Sequence, residues 1–325
     1  MKANFFLMNV FIVFILLSCA EDKVEIISLK PVKTVEELSD SAFFKEVMCI
    51  THDTKNIYAS DIYNSRILKF DSDMNCLGSI GARGNGPGEF TCLGGINCFN
   101  DTLYVLECNG FKTFTAEGDF IRADRKEIST FTPFGFCMDE SANIYLSSVS
   151  DTLPLVKYDK YLNLQFAFGS YRGEEDEKIS GNTYMLHFFN NSILSVKCDD
   201  PVLSLYDIHG NVLLDKYLDY DIFESRLSFK RIEQAKSLNN KRKNTYILFN
   251  CVSSFNNKIY LLYIGHDSEN IPSCNHIAEL VYENNDFRLN KIYQLIDSWY
   301  DSICFFDNKL ICYSSKKEEF QIYEL

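Results

Sequence analysis

The sequence lacks the short motifs that mark common catalytic and metal sites. It has no cysteine pair with CxxC spacing, no GxSxG and no HExxH. A zinc ribbon, a serine-hydrolase nucleophile elbow and a zincin-type metalloprotease each need one of these spacings, so all three are without support. We therefore predict no catalytic residue, no metal and no cofactor.

Basic residues and long apolar runs are also scarce. Lys and Arg number 32 against 45 Asp and Glu, which gives a formal net charge of −13. A protein this acidic repels phosphate backbones, so we expect no nucleic-acid partner. Beyond residue 17 the chain has no second long apolar run, so a lipid would be its only membrane attachment.

The N-terminus has the pattern of a lipoprotein signal peptide. A short basic start precedes the apolar run Phe5–Leu17, which is too short to span a bilayer comfortably. Leu16-Leu17-Ser18-Cys19 resembles a bacterial lipobox with Cys19 as the lipid acceptor. The alternative is an ordinary signal peptide with an incidental cysteine. The lipobox predicts a signal peptide over residues 1–18 and a lipidated tether over 19–23. It also predicts a lipid-anchored location in the bacterial cell envelope, at the outer membrane and facing either the periplasm or the cell surface.

The remaining residues, 24–325, repeat one unit of short β-type runs separated by turn-forming residues. In the first unit, NIYAS and RILKF are rich in β-branched and aromatic residues, FKEVMCI precedes them and CLGSIG follows. Six units align on their second run, which begins at Asn56, Thr102, Asn143, Ser192, Lys258 and Lys309. Most starts lie about 40–50 residues apart, the period of a propeller blade. We predict an all-β, six-bladed β-propeller of four-stranded antiparallel blades.

The first unit also resembles a known family. The pattern N-x-R-I-x-K-F-D over Asn64–Asp71 is followed by G-x-x-G-x-G-P-G-E-F over Gly81–Phe90. This combination is similar to the NHL-type and TolB-like six-bladed β-propellers, which include many lipoproteins of Bacteroidota. The resemblance implies the fold for nearly the whole mature chain. It implies little about activity, because propellers host many functions.

The glycine-rich corner at the end of the first unit has two interpretations. Gly81, Gly84, Gly86 and Gly88 fall within eight residues, so the segment needs backbone conformations that end a strand. A phosphate-binding loop also needs glycines, but it leads into a helix. Here the following TCLGGINCF predicts another strand, which favours a structural corner.

The ends of the chain predict how the propeller closes. The sixth unit stops at Leu325 after its third run, and Val24–Val32 forms a strand that belongs to no unit. Pairing this strand with the sixth unit would complete the last blade. We therefore predict an N-terminal velcro strand that removes an open sheet edge.

The widest spacing marks an insertion over residues 221–246. Phe223, Leu227, Ile232 and Ala235 recur at roughly helical spacing. The basic cluster Lys241–Lys243 follows, either as a contact for an anionic partner or as part of a solvated loop.

The cysteines and histidines lie where a propeller would place them near its central channel. Five cysteines shortly precede their second runs, which predicts inner strands: Cys49, Cys98, Cys137, Cys251 and Cys304. They fall on different blades, so we expect small buried residues and mostly free thiols. Only His52 and His187 lie near inner strands. A hydrolase or lyase with a metal in the channel is the alternative to a non-enzymatic binding protein.

Loop length predicts the binding surface. In a four-stranded meander, the loops between blades share one face with the turns between second and third strands; we call this the long-loop face. It would carry Asn64, the glycine-rich corner with Arg83, Arg172 and the insertion. Function is commonly built on such loops, so Asn64, Arg83 and Arg172 are the candidate contacts for a partner protein or for a small-molecule or glycan ligand. The alternative is that Arg83 only fixes its own loop.

The anchor can be tested directly. Cys19→Ala should abolish acylation, because no other cysteine follows a lipobox, and should release the protein from membranes. Membrane fractionation with a carbonate wash measures this. Retention of the variant in the washed membranes would contradict the lipoprotein assignment.

Overall fold

The computed structural model describes residues 24–38, 43–125, 136–148, 153–171, 183–237, 246–266 and 269–325. Four predictions lie outside these ranges: the signal peptide, the tether over residues 19–23 with its lipid acceptor Cys19, the candidate contact Arg172 and the cluster Lys241–Lys243. Within the described ranges, no helix has the length and apolar character needed to cross a membrane.

The described residues form six β-sheets around a central channel. The two N-terminal strands are β1 (Glu25–Ser28) and β2 (Lys33–Val35). The first three blades are, from inner to outer strand, β3 (Val47–His52), β4 (Ile57–Asp61), β5 (Arg66–Phe70), β6 (Cys76–Ile80); β7 (Leu93–Phe99), β8 (Thr102–Glu107), β9 (Gly110–Thr115), β10 (Phe120–Arg125); β11 (Phe136–Met138), β12 (Ile144–Ser147), β13 (Leu155–Tyr158), β14 (Leu164–Phe168). The last three are β15 (Tyr184–Phe189), β16 (Ser192–Lys197), β17 (Val202–Tyr206), β18 (Val212–Tyr217); β19 (Phe249–Phe255), β20 (Lys258–His266), β21 (Pro272–Glu283), β22 (Asp286–Gln294); β23 (Ser302–Phe306), β24 (Lys309–Ser314), β25 (Glu319–Glu324).

Burial explains why these segments pair as blades. The second strands are covered on both faces, so that every residue of β4 and of β16 is buried. Outer strands have one solvent-facing side, as in β18, where Val212, Leu213 and Tyr217 are exposed. Contacts between successive inner strands run from β3 through β7, β11, β15, β19 and β23 and back to β3. All six predicted second-run starts fall within one residue of an observed second strand, which confirms the six-bladed fold.

The predicted pairing of Val24–Val32 with the sixth blade is wrong. β1 pairs in parallel with β22 and makes the fifth blade a mixed, five-stranded sheet. A later segment, β2, pairs antiparallel with β25 of the sixth blade. The N-terminal segment therefore crosses the outer edges of two blades. Its apolar pattern predicts a strand, but both blades offer an outer edge, so the pattern cannot select between them.

Aspartates form several of the turns within the blades. Asp71 Oδ1 accepts the backbone N–H groups of Asp73 and Asn75 at 2.9 and 2.8 Å, and its Oδ2 accepts Asn75 Nδ2 at 2.9 Å. The same pattern recurs at Asp139, Asp159 and Asp207.

These hydrogen bonds make the turns sensitive to acid. Desolvation raises the pKa of Asp71 and of Asp207, but the hydrogen bonds outweigh it and hold each pKa below its ordinary value. Since the folded pKa is depressed, the stabilisation is present above the unfolded pKa. It is lost as the pH falls through the folded value.

In two blades, a tyrosine, an aspartate and a lysine form hydrogen bonds that join the blade to its neighbour. We call this arrangement the clamp. In the third blade, the buried Tyr145 hydroxyl contacts Asp139 Oδ2 at 2.9 Å and Ile208 O, in a turn of the fourth blade, at 3.3 Å. Lys157 Nζ donates to the same Ile208 carbonyl at 3.0 Å. In the first blade, the Tyr58 hydroxyl likewise contacts Asp53 Oδ2 and Ala116 O of the second blade, and Lys69 Nζ donates to the same Ala116 carbonyl. Each clamp satisfies polar groups that would otherwise be buried without a partner.

The insertion carries a helix, α1 (Glu224–Ser237). Phe223 and Leu227 are buried in the core shared by the fourth and fifth blades, whereas Ile232 is exposed. Lys230 Nζ lies 3.0 Å from Asp199 Oδ2 and 2.9 Å from Asp200 Oδ1. The first part of the insertion is therefore docked on the propeller.

A disulfide joins Cys92 and Cys108, with Cα atoms 5.8 Å apart. They directly precede β7 and follow β8, so the bond closes the open end of this hairpin. Nine other cysteines are free, which confirms the prediction of mostly free thiols for the described residues. The five repeat-equivalent cysteines lie on inner strands as predicted.

The clamp predicts a specific stability loss. Tyr145→Phe should lower the free energy of unfolding by about 1–3 kcal/mol, because it removes a buried hydrogen bond to a carboxylate. Tyr217→Phe is the matched control, since Tyr217 is 52% exposed. Thermal melts of both variants measure the difference. Equal melting temperatures for parent, variant and control would show that the clamp does not stabilise the ring.

The disulfide predicts a response to reductant. Its cysteines are 16 residues apart in sequence, and closing a loop of that length stabilises a fold by about 3 kcal/mol. Reductant should lower the melting temperature of the parent and of Cys76→Ser, but should leave the Cys92→Ser/Cys108→Ser variant unchanged. A thiol reagent added to denatured, unreduced protein should label every described cysteine except Cys92 and Cys108. Full labelling before reduction would contradict the bond.

Candidate functional site at the channel mouth

The two described contact candidates lie together on the long-loop face, where they hold loops. Asn64 Nδ2 donates to Asp61 Oδ2 at 2.8 Å and to Phe43 O at 3.3 Å. Arg83 is exposed, and one guanidinium nitrogen donates to Tyr63 O at 2.9 Å. Both residues thus tie neighbouring segments of this face together. Their role as ligand contacts stays a prediction, as does that of Arg172, which lies outside the described residues.

The glycine-rich corner is built around its own carboxylate. The Gly86 N–H donates to Glu89 Oε2 at 2.7 Å. An added Cβ at Gly84 would lie 2.0 Å from the same oxygen, so a side chain there would displace the Glu89 carboxylate from this position. Phe90 is buried against Phe114, with ring centroids 5.5 Å apart. The donor that a phosphate would need is occupied, and the corner leads into strand β7, which favours the structural interpretation.

The inner strands bring thiols and imidazoles into the channel. A cavity of about 230 Å³ there is lined by residues that include Cys49, Cys251, Cys304, His52 and His187. Burial raises the pKa of Cys49 to about 12 and also raises the pKa of the other two thiols. The thiols are therefore protonated at neutral pH and are poor nucleophiles.

Each channel histidine has a hydrogen-bond partner. His187 Nε2 lies 2.7 Å from Ser254 Oγ, and desolvation, together with repulsion from His52, lowers its pKa to about 4. His187 is therefore neutral at neutral pH. His52 Nδ1 lies 2.7 Å from the carbonyl oxygen of Asp53. A carbonyl only accepts, so Nδ1 carries a proton, and Nε2 is an acceptor whenever the ring is neutral.

A larger cavity opens where the channel reaches the other face, which carries the turns between first and second strands. We call it the mouth cavity; its volume is about 770 Å³ and its lining includes His52, Thr54, Phe99, Phe255 and Phe306. His52, Ser254 and Phe305 line both cavities, so the mouth adjoins the channel interior. Small-molecule pockets commonly measure about 300–1,000 Å³.

Aromatic rings fix the shape of the mouth cavity. Phe255 and Phe305 stack with centroids 5.3 Å apart and an interplanar angle of 4°. Tyr260 packs on Phe305 at 4.2 Å, and His52 meets the edge of Phe306 at 5.2 Å. Because these rings contact one another, this part of the cavity wall is preformed and would need little ordering to bind a ligand.

Three carboxylates surround the rings. Asp53, Asp101 and Asp307 line the mouth cavity, and no lysine or arginine does so among the described residues. Desolvation raises the pKa of Asp53, but hydrogen bonds from Lys55 N–H, Asn56 N–H and the Tyr58 hydroxyl outweigh it and leave the pKa lowered. The mouth is therefore negative at neutral pH. In the described ranges, no three His, Cys, Asp or Glu side chains converge as a metal site would require.

Sequence reasoning missed this site, although a signal exists. Four units end the inner strand with phenylalanine followed by two Asn or Asp residues: Phe99-Asn100-Asp101, Phe189-Asn190-Asn191, Phe255-Asn256-Asn257 and Phe306-Asp307-Asn308. Three of these phenylalanines line the mouth cavity. The repeat thus places an aromatic ring and a polar turn around the channel mouth.

The long-loop face offers a smaller cavity in comparison. It measures about 170 Å³ and lies beside the glycine-rich corner, lined by residues that include Gly86, Lys112 and Arg125. Its volume falls below the common range for small-molecule pockets.

Known structures share the fold. No protein-family model matches the chain, and no curated protein matches it. A "Putative exported protein" from Bacteroides fragilis is 14% identical over 88% of each chain, with a TM-score of 0.60. A DUF4221 family member from Bacteroides vulgatus is 13% identical over 91% of this chain and 97% of that one, with a TM-score of 0.61. A catalytically inactive virginiamycin B lyase from Staphylococcus aureus, solved with quinupristin, is 9% identical over 90% and 99%, with a TM-score of 0.54. At these identities the likeness shows that the chain has the six-bladed propeller fold of these proteins.

Proposed function

We propose that this chain is an exported, lipid-anchored binding protein whose propeller takes up a small ligand at the mouth cavity. The preformed cavity of about 770 Å³ carries this proposal. Two of its rings, Phe255 and Phe305, are fixed by stacking on each other, and its volume suits a small molecule.

Three observations support export. The chain begins with the lipobox pattern ending at Cys19. The Cys92–Cys108 disulfide is typical of an oxidising compartment. One structural neighbour bears the name of an exported protein. An NHL-type or TolB-like lipoprotein of Bacteroidota accords with all three.

The alternative is a hydrolase or lyase acting in the channel. His52 and His187 lie there, and a virginiamycin B lyase has the same fold. Binding is the better supported function, because His187 is engaged by Ser254 and the channel thiols are protonated.

A fragment screen by ligand-observed NMR tests the location of the site. Thr54 is exposed and lines the mouth cavity, whereas its exposed neighbour Lys55 does not line it. Thr54→Trp should abolish binding of most hits by filling the mouth, and Lys55→Trp should preserve it. Hits lost on Arg83→Ala but kept on Thr54→Trp would place the site on the long-loop face instead. Conversion of hits to products would favour the enzyme.

A further inference from the structure

The turns around the mouth cavity carry more negative charge than their conformation requires. Four two-residue turns end inner strands with both residues at positive φ: Asn100–Asp101, Asn190–Asn191, Asn256–Asn257 and Asp307–Asn308. Asparagine and aspartate both tolerate this left-handed conformation. The two turns with an aspartate are the two that line the mouth cavity, and the turns at 190–191 and 256–257, which do not line it, carry only asparagine. The carboxylates of Asp101 and Asp307 are therefore not needed for folding.

These two carboxylates are also uncompensated. Both residues are exposed, and neither forms an ion pair with a described residue. Asp53 adds a third negative charge, although its oxygens already accept the N–H groups of Lys55 and Asn56, each at 2.6 Å. A cavity with charge of one sign attracts ligands of the opposite sign.

The rest of the lining suits a cation with an apolar body. Aromatic faces attract ammonium groups and also pack against apolar groups. Phe99, Phe255 and Phe306 supply such rings in the mouth cavity. In its neutral form, His52 adds a hydrogen-bond acceptor at Nε2, because Nδ1 holds a proton against the Asp53 carbonyl.

We infer that the mouth cavity binds an organic ammonium ion attached to an aromatic or apolar body. The inference rests on the proposed function and names its ligand class. The ammonium group sits among Asp101, Asp307 and His52 Nε2, and the apolar body packs on the phenylalanine rings. A free amine and a basic side chain of a short peptide share this chemistry.

Three matched probes test whether the mouth cavity selects a positively charged ligand. They are 2-phenylethylammonium, 2-phenylethanol and 3-phenylpropionate, which share a ring and differ in charge; binding is measured by NMR titration at low salt. The ammonium ion should bind about five- to twenty-fivefold more tightly than the alcohol, since it meets two exposed carboxylates and each exposed ion pair contributes up to about fivefold. The carboxylate should bind more weakly than the alcohol. N-acetyl-Phe-Lys-amide distinguishes a peptide ligand from a free amine. Tighter binding than 2-phenylethylammonium indicates a peptide, and weaker binding indicates a small amine.

Variants of the two aspartates test whether their carboxylates bind the ammonium group. Asp101→Asn and Asp307→Asn should each weaken ammonium binding by about three- to fivefold and leave alcohol binding unchanged, because each removes one exposed carboxylate partner. The turns at 190–191 and 256–257 already use asparagine, so both variants should fold normally. Asp219→Asn is the control, since Asp219 is exposed and does not line the mouth cavity.

The outcomes separate this inference from the proposed function. If alcohol or carboxylate binds as tightly as the ammonium ion and Thr54→Trp blocks it, the mouth is a binding site but the ligand class is wrong. If Asp101→Asn and Asp307→Asn bind the ammonium ion as Asp219→Asn does, the inference that these carboxylates select the ligand by its charge is wrong. If nothing binds at the mouth in the probe titrations or in the fragment screen, both proposals fail.

Discussion

Each blade of this protein is stabilised mainly by the two blades beside it. The second strands are buried on both faces, so a separated blade would expose two apolar surfaces to water. Directional hydrogen bonds form at the same interfaces, for example where Tyr145 and Lys157 contact the Ile208 carbonyl of the next blade. Because every blade needs two neighbours, the ring has to close. The channel is a consequence of closure, and small residues such as Cys49 and Cys304 fit where the inner strands converge.

The same constraint explains how much of the fold the sequence predicts. Strands with two buried faces are apolar throughout, so their recurrence gives the blade number directly, as the starts at Thr102, Ser192, Lys258 and Lys309 show. Closure depends instead on which outer edge an N-terminal strand joins. The residues of β1 contain no information on that choice, because edges of the fifth and sixth blades both accept a strand.

The disulfide shows a second limit of pattern reasoning. Counting back from the turn at Asn100–Asp101 places Cys92 opposite residue 109 in the hairpin. A bulge between Leu93 and Ile96 shifts the register by one residue and brings Cys108 opposite Cys92. The mouth cavity was missed for another reason. Loop length pointed to the long-loop face, where the described candidates Asn64 and Arg83 hold loops, whereas short turns surround the larger cavity.

The path of the N-terminal segment has a mechanical consequence. If Cys19 anchors the chain to a membrane, as we propose, any pull on that anchor enters the propeller along this segment. β1 comes first along that path and is paired with the fifth blade, which already has four strands of its own. β2, the fourth strand of the sixth blade, comes second. A pulling force must therefore break the pairing of β1 with β22 before it acts on β2. The ring is shielded from forces at such an anchor, because it can lose β1 and still remain closed.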